Sequence, residues 1–376
     1  MPRLAGRAAT PMRFQPKRIL LVLAILALVT SVPAALIWRR SNSLPSQVAK
    51  ARLLVGTPEG GALLNSLAAQ HPDNAEVMFL QARQLRLQGR GNPASAALKR
   101  CAVLGWSATD VQREQLLLLS QANFRAAEPR LRAWLDSHAG DREALLALAS
   151  GYAEAKQFER AESLVNAALA LGPDDGAAHL VRGTIYLQKR QLQLALPDLE
   201  MALERGAKHH FEHDAKLQLG VCLLDLGRFD EALALFRQCR SEDPENPRPL
   251  YGIGRCARYL GRSDEAAEAF ERVLQLRPDH VETLLQLAYV HEERGDWEKA
   301  LKALELAEKK QPHWFEVPFR MAKILTILGQ NDRAARYQAR YLEMQKRWLK
   351  RRAGQSPEEV FQSPEESAFP KNSSKN

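Results

Sequence analysis

Four cysteines in 376 residues are too few for a disulfide scaffold, and none stands in a Cys-x-x-Cys pair, so a zinc ribbon or a thioredoxin-type redox site has no ligands to build on. Aromatic residues make up only 7% of the chain and β-branched runs are scarce, which argues against an all-β sandwich or barrel. Phosphate-binding loops, nucleophile elbows and His-Glu-x-x-His motifs are missing as well. The expectation is therefore a chain that is no enzyme, with no catalytic residue, no cofactor and no metal. Acidic residues are wholly lacking from the first 52 positions, where Arg3, Arg7, Arg13, Lys17, Arg18, Arg39, Arg40, Lys50 and Arg52 supply nine of the 53 basic residues. All 44 acidic residues lie beyond Arg52, so the rest of the chain is neutral and the net charge of +9 belongs to the front. A basic front without a basic body predicts no nucleic-acid partner.

Between those basic residues runs Ile19 to Trp38, twenty residues without a charge. At about 1.5 Å per residue it matches the roughly 30 Å of a bilayer core. It is read as a transmembrane signal anchor, with 1–18 as a basic segment before it. Val32-Pro33-Ala34-Ala35 could serve a signal peptidase, so a cleaved and secreted body is the alternative. The basic excess on the N-terminal side predicts a cytoplasmic N-terminus and an extracytoplasmic, periplasmic body; a cytoplasmic-facing body is the other orientation.

What fills the remainder is a repeat. Pro244, Pro278 and Pro312 are spaced by 34, and Ala127, Ala161, Ala195, Ala232, Ala266, Ala300 and Ala334 keep the same step except for 37 between Ala195 and Ala232. Each unit reads as two amphipathic helices, for example Lys216–Leu226 and Glu231–Arg240. Gly227, Gly261, Gly295 and Gly329 fall at the turn between them, where positive φ is needed. Small residues at Gly220, Gly254, Ala288 and Ala322 predict a close approach of the paired helices.

Leu219-Gly220 … Gly227-Arg228-Phe229-Asp230-Glu231-Ala232 … Phe236 … Asp243-Pro244 resembles the tetratricopeptide repeat (TPR), as do Leu148-Ala149 … Tyr152 … Ala161 … Ala168 … Pro173 and Leu287-Ala288 … Gly295-Asp296-Trp297 … Ala300 … Ala307 … Pro312. Eight units start near 75, 108, 142, 176, 213, 247, 281 and 315, with a degenerate ninth before them ending at His71-Pro72. The unit at 108 lacks both the turn glycine and the closing proline. The resemblance implies an all-α superhelical solenoid: 39–74 a linker and degenerate first repeat, 75–348 the array, 349–376 the end of a capping helix and a disordered tail. Arg333–Arg352 is the capping helix of this reading. The tail contains Gln355-Ser356-Pro357-Glu358-Glu359 and again Gln362-Ser363-Pro364-Glu365-Glu366.

The family lines its groove with the first helix of each pair, which implies Arg248, Tyr251, Arg255, Arg258 and Tyr259, then Glu282, Tyr289, Glu292 and Glu293, then Phe319 and Lys323 with Arg320 beside them. Aromatic residues next to arginines suit a protein or peptide partner. Earlier first helices offer the apolar Leu146, Ser150, Ala153, Leu180, Thr184 and Leu187. The family's carboxylate clamp of Lys and Asn is not present, since Leu217, Val221, Tyr251 and Arg255 hold those positions. Gly252-Ile253-Gly254-Arg255-Cys256-Ala257 has the dinucleotide-fingerprint spacing but falls inside a repeat helix. His209, His210 and His213 sit at the three-residue insertion and lack a completing ligand. Cys222, Cys239 and Cys256 fit small buried packing positions, a Cys239–Cys256 disulfide being the alternative outside the cytoplasm. The expected function is a non-enzymatic, membrane-tethered scaffold or adaptor of unspecified oligomeric state. The alternatives are a structural subunit of an envelope secretion or assembly machine, or the substrate-presenting subunit of an enzyme complex.

Overall fold

A computed structural model describes residues 43–206 and 209–352. The proposed anchor 19–38 and the tail beyond Arg352 lie outside the described residues. Among the described residues no helix is long and apolar enough to cross a membrane. The chain divides into two compact units, residues 1–111 and 112–376.

In the first unit α1 (Leu44–Leu54), α2 (Pro58–Gln70), α3 (Ala75–Leu87) and α4 (Gly91–Val103) follow one another. Val48, Ala51, Leu64, Leu67, Val77 and Leu80 form their core. Gln84 is buried there because it closes the α1–α2 turn: its Oε1 accepts from the Gly56 amide at 2.7 Å and its Nε2 donates to the Thr57 carbonyl at 3.1 Å. The helix pair α1/α2 occupies the stretch read as a degenerate repeat.

α5 (Ala108–Ala122) begins at the edge of that unit. After it come α6 (Phe124–Ser137), α7 (Arg142–Glu154), α8 (Phe158–Leu171), α9 (Gly176–Gln188), α10 (Leu192–Arg205), α11 (Glu212–Asp225), α12 (Phe229–Glu242), α13 (Pro247–Tyr259), α14 (Ser263–Leu276), α15 (Val281–Arg294), α16 (Trp297–Lys310), α17 (Glu316–Ile327) and α18 (Asn331–Arg352). From α6 onward each packs on the next, and the first helices of successive pairs also touch: α7 on α9, α9 on α11, α11 on α13 and α13 on α15. First helices start on side-chain caps where the sequence supplies Asx: Asp141 accepts from the Ala144 amide, Asp175 from those of Ala177 and Ala178, and Asn246 from that of Arg248.

Two local features make the pairs tight. Gly227, Gly261, Gly295 and Gly329 have φ of 78°, 71°, 78° and 72°, closing each first helix in the left-handed region. Lys156 and Arg190 do the same at 58° and 62° without glycine, so the turn geometry outweighs a cost of about 1 kcal/mol each. The unit at 108 breaks differently: its turn is the single residue Asn123, whose side chain accepts from the Ala126 amide. In place of the closing proline, His138 stacks on Trp134 at 3.9 Å, and Trp134 Nε1 donates to Asp141 at 2.9 Å.

The second feature is the missing Cβ at crossings. A methyl group on Gly220 would stand 2.8 Å from the Phe236 ring, one on Gly252 2.6 Å from the same ring, and one on Gly254 2.5 Å from Phe270. The Gly-x-Gly spacing of 252–254 is therefore a packing device inside α13, with a ring on either side. Cys101, Cys222, Cys239 and Cys256 are buried free thiols; burial pushes Cys222 up to about 11 and Cys239 and Cys256 up to about 12. They serve as small core residues.

At the C-terminal end the sequence reading needs amendment. Arg333–Arg352 is not an added cap over a finished stack; it is α18 itself, the second helix of the last pair, prolonged to 22 residues where α12, α14 and α16 have 14. Gly254→Ala is expected to destabilise the protein by about 1–3 kcal/mol through overpacking against Phe270, read from chemical denaturation. Lys156→Gly is expected to raise the unfolding free energy by up to about 1 kcal/mol by relieving the left-handed backbone, with no change in circular dichroism.

Candidate functional site

Because the first helices touch in sequence, residues on their shared face come together in space. α13, α15 and α17 contribute a ladder. Tyr259, at the end of α13 and 48% exposed, stacks on Phe229 with ring centroids 4.9 Å apart and planes at 9°. The Arg258 guanidinium lies over Tyr259 at 4.5 Å and over Tyr289 of α15 at 5.4 Å. From the other side Arg320 of α17 lies over Tyr289 at 3.6 Å. Rings and guanidinium groups thus alternate from Tyr259 of α13 to Arg320 of α17, each cation–π contact contributing about 0.5–2 kcal/mol according to its desolvation.

Carboxylates tie the ladder laterally. Arg258 donates to Glu293 at 2.9 Å, and Arg320 to Glu292 at 3.1 Å and Glu316 at 3.5 Å. Lys323 reaches Glu292 at 3.4 Å, and the Tyr289 hydroxyl donates to Glu316. Burial raises the Tyr289 phenol above its ordinary range, and Glu316 adds to this, so it remains a donor. Burial opposes the charge of Arg320, yet Tyr289 and Glu292 together hold its pKa above the usual value. Arg258 Nε is enclosed without a hydrogen-bond partner.

Seven of the residues read from the sequence, Arg258, Tyr259, Tyr289, Glu292, Glu293, Arg320 and Lys323, therefore form one cluster. The other five are placed elsewhere. Tyr251 is 9% exposed, its ring packed between Phe270 at 5.9 Å and His280 at 5.5 Å, in the core and not on an open face. Arg248 is half-buried in the first turn of α13. Arg255 pairs with Asp225 at 3.6 Å; Arg190 reaches the same carboxylate at 2.7 Å. Glu282 lies 3.6 Å from His280 Nε2. Phe319, 46% exposed, turns towards α18, where Tyr341 meets it at 5.2 Å. Sequence reasoning missed Glu316 and Phe229, although Glu316 stands 34 residues after Glu282 and was legible by period. Phe229 lies in a second helix, outside the positions that were consulted.

The earlier apolar positions are covered by the chain's own helices: Leu146, Ala153 and Leu187 are buried, and the Thr184 hydroxyl donates to the Leu180 carbonyl at 2.7 Å. At the insertion His213 meets Glu242 at 3.0 Å, while His209 and His210 rest against the Phe211 ring. Among the described residues no three His, Cys, Asp or Glu side chains are grouped to hold a metal.

Comparison with known proteins fits this geometry. Models of the tetratricopeptide repeat match residues 118–185, 223–268 and 251–313, so the helix pairs over those stretches are similar to tetratricopeptide repeats. None of the curated proteins compared matches the sequence. Among solved structures, the Cut9–Hcn1 hetero-tetramer of the APC/C is similar over 81% of this chain and 61% of its own chain, with TM-score 0.62 and 15% identity. That likeness establishes a shared all-α repeat fold; this chain spans less than two thirds of the Cut9–Hcn1 chain it matches. Pseudomonas aeruginosa pilF (20% identity, 58% of this chain and 94% of its own, TM-score 0.47) and YrrB, a TPR protein with an unusual peptide-binding site (22%, 50% and 95%, 0.41), are similar over shorter stretches of this chain.

Arg320→Lys keeps the charge but removes the guanidinium that lies 3.6 Å from the Tyr289 ring centroid and donates to Glu292 and Glu316. It is expected to lower the unfolding free energy by about 1 kcal/mol, measured by denaturant titration.

Proposed function

We propose that this chain is a non-enzymatic scaffold, tethered to a membrane through residues 19–38, that holds a protein or peptide partner along the joined first helices α13, α15 and α17. Tetratricopeptide repeats generally serve protein–protein interaction. The observation that supports this location is the ladder Phe229–Tyr259–Arg258–Tyr289–Arg320, which ends in an exposed tyrosine and is flanked by the accessible Glu293 and Lys323. Stacked tyrosines and arginines already fixed by Glu292, Glu293 and Glu316 lose little side-chain freedom on binding, so an incoming chain meets a pre-organised surface. The tether rests on the sequence: an apolar run of twenty residues with basic flanks, and a body placed outside the cytoplasm by the excess of basic charge before the run. A subunit of an envelope assembly machine, or the substrate-presenting arm of an enzyme complex, would use the same face.

The test is cross-linking of the tagged full chain in native membranes, comparing wild type with the Arg258→Ala, Tyr259→Ala double variant. Loss of about tenfold or more of a specific cross-linked protein, with the helical circular dichroism retained, is expected for two hot-spot residues. Equal recovery from a folded variant rejects this face. Protease added to intact spheroplasts is expected to digest the body and to spare a membrane-retained N-terminal fragment; protection until lysis rejects the orientation.

A further inference from the structure

One core position of the repeat carries an ionisable ring where its counterparts carry none that titrates near neutrality. Counting by the period from His291 gives Ala257 and Leu223 in the two pairs before it and Leu325 in the pair after it, all buried. In the pairs before the three-residue insertion the position is held by Tyr186 and Tyr152. His291 is 8% exposed and stands in the last turn of α15, which packs on α14 before it and α16 after it. Its Nδ1 is enclosed without a hydrogen-bond partner, since Asp296 Oδ2 lies 3.8 Å away, beyond hydrogen-bond distance. That carboxylate is shared with Lys299 at 3.4 Å and Arg294 at 3.9 Å. The main chain of His291 closes the turn: its carbonyl accepts from the Asp296 amide at 2.8 Å, beside Gly295 at φ 78°. The next two residues are Glu292 and Glu293, whose carboxylates hold Arg320 and Lys323 on one side and Arg258 on the other.

We infer that His291 is a proton-sensitive latch: when its ring takes up a proton, the last turn of α15 opens to bring the imidazolium to water, and Glu292 and Glu293 slacken their hold on the ladder. Inside the closed turn the charge is poorly accommodated. Burial opposes it most and holds the pKa of the ring below the ordinary value of 6.5. Asp296 and Glu271 of α14 attract the charge, Lys299 of α16 and Arg294 of α15 repel it, and the attraction does not offset the burial. Once charged, the ring also carries an N–H at Nδ1 that needs an acceptor, and Asp296 is too far to serve. The sign is fixed by linkage. Above 6.5 neither the open nor the closed turn binds the proton, and the latch is at full strength. As pH falls below that value the open turn takes the proton first, so opening becomes more favourable by up to about tenfold per pH unit until the closed turn also titrates. Ala257 and Leu325 hold no proton at the same position, so the pairs on either side keep their cores. That this opening regulates a partner rests on the reading of the ladder as the partner face; the opening itself does not.

The experiment is hydrogen–deuterium exchange of the purified full chain, read by mass spectrometry in peptides that cover the last turn of α15. It compares about pH 7.5 with about pH 5.5, above the ordinary carboxylate range, after correction for the intrinsic pH dependence of exchange. The opening constant of that turn is expected to rise about fivefold in the wild type and to stay within about twofold in His291→Leu, which installs the residue type found at 223 and 325. His291→Tyr, the residue type at 152 and 186, takes its place if the leucine variant does not fold. No rise in the wild type, or an equal rise in the folded variant, overturns the inference. Titration of the His291 ring followed by nuclear magnetic resonance is expected to give a midpoint below 6.5; a midpoint at or above that value overturns it as well. Because no partner is present, these outcomes are separate from the test of the partner face.

Discussion

Most of the second unit depends on how closely two helices approach where a glycine lacks its methyl group. Phe236 of α12 is held between Gly220 of α11 and Gly252 of α13, so one ring sets both the spacing inside a pair and the spacing to the next. Phe270 repeats the arrangement against Gly254 one period later. Aromatic bulk on the second helix is admitted only because the first helix carries none at that point. The alanines at 161, 195, 232, 266 and 300, each without exposed surface, serve the complementary crossings. This close contact brings successive first helices into contact, and their contact makes the ladder possible.

The ladder is an arrangement of planes. Arginine is suited to it because its guanidinium stacks on a ring with its face while its edge donates to carboxylates. Arg320 does both at once, over Tyr289 and towards Glu292 and Glu316. On the proposed partner face, the same pairing would limit what can bind: an incoming chain would have to offer groups that match stacked rings and a partly neutralised rim. It does not meet a bare cluster of positive charge. The neutral balance of the chain after Arg52 agrees with this.

At the far end the repeat logic is left incomplete. Gln338 stands where the inner pairs have Leu304 and Phe270, and Ala335 where they have Leu301 and Ala267, a partial conversion of a buried face to a wet one. Phe319 remains apolar and half-exposed, and α18 runs on beyond the length of its counterparts.

The sequence by itself determined the helix pairs, because the 34-residue spacing of Pro244, Pro278 and Pro312 and the turn glycines are local requirements that each residue meets alone. It also located most of the ladder, since Arg258, Tyr259, Tyr289 and Arg320 sit at face positions set by that period. Only the tertiary structure decided which of those residues face outward. Tyr251 has the right position yet sinks between Phe270 and His280, because α15 packs over that part of α13. Lys156 and Arg190 were not legible as left-handed residues, since packing of the adjoining helices imposes a turn that their side chains do not favour. Whether a position lies under the next pair depends on whether a next pair follows, and that is a property of the stack and not of the residue.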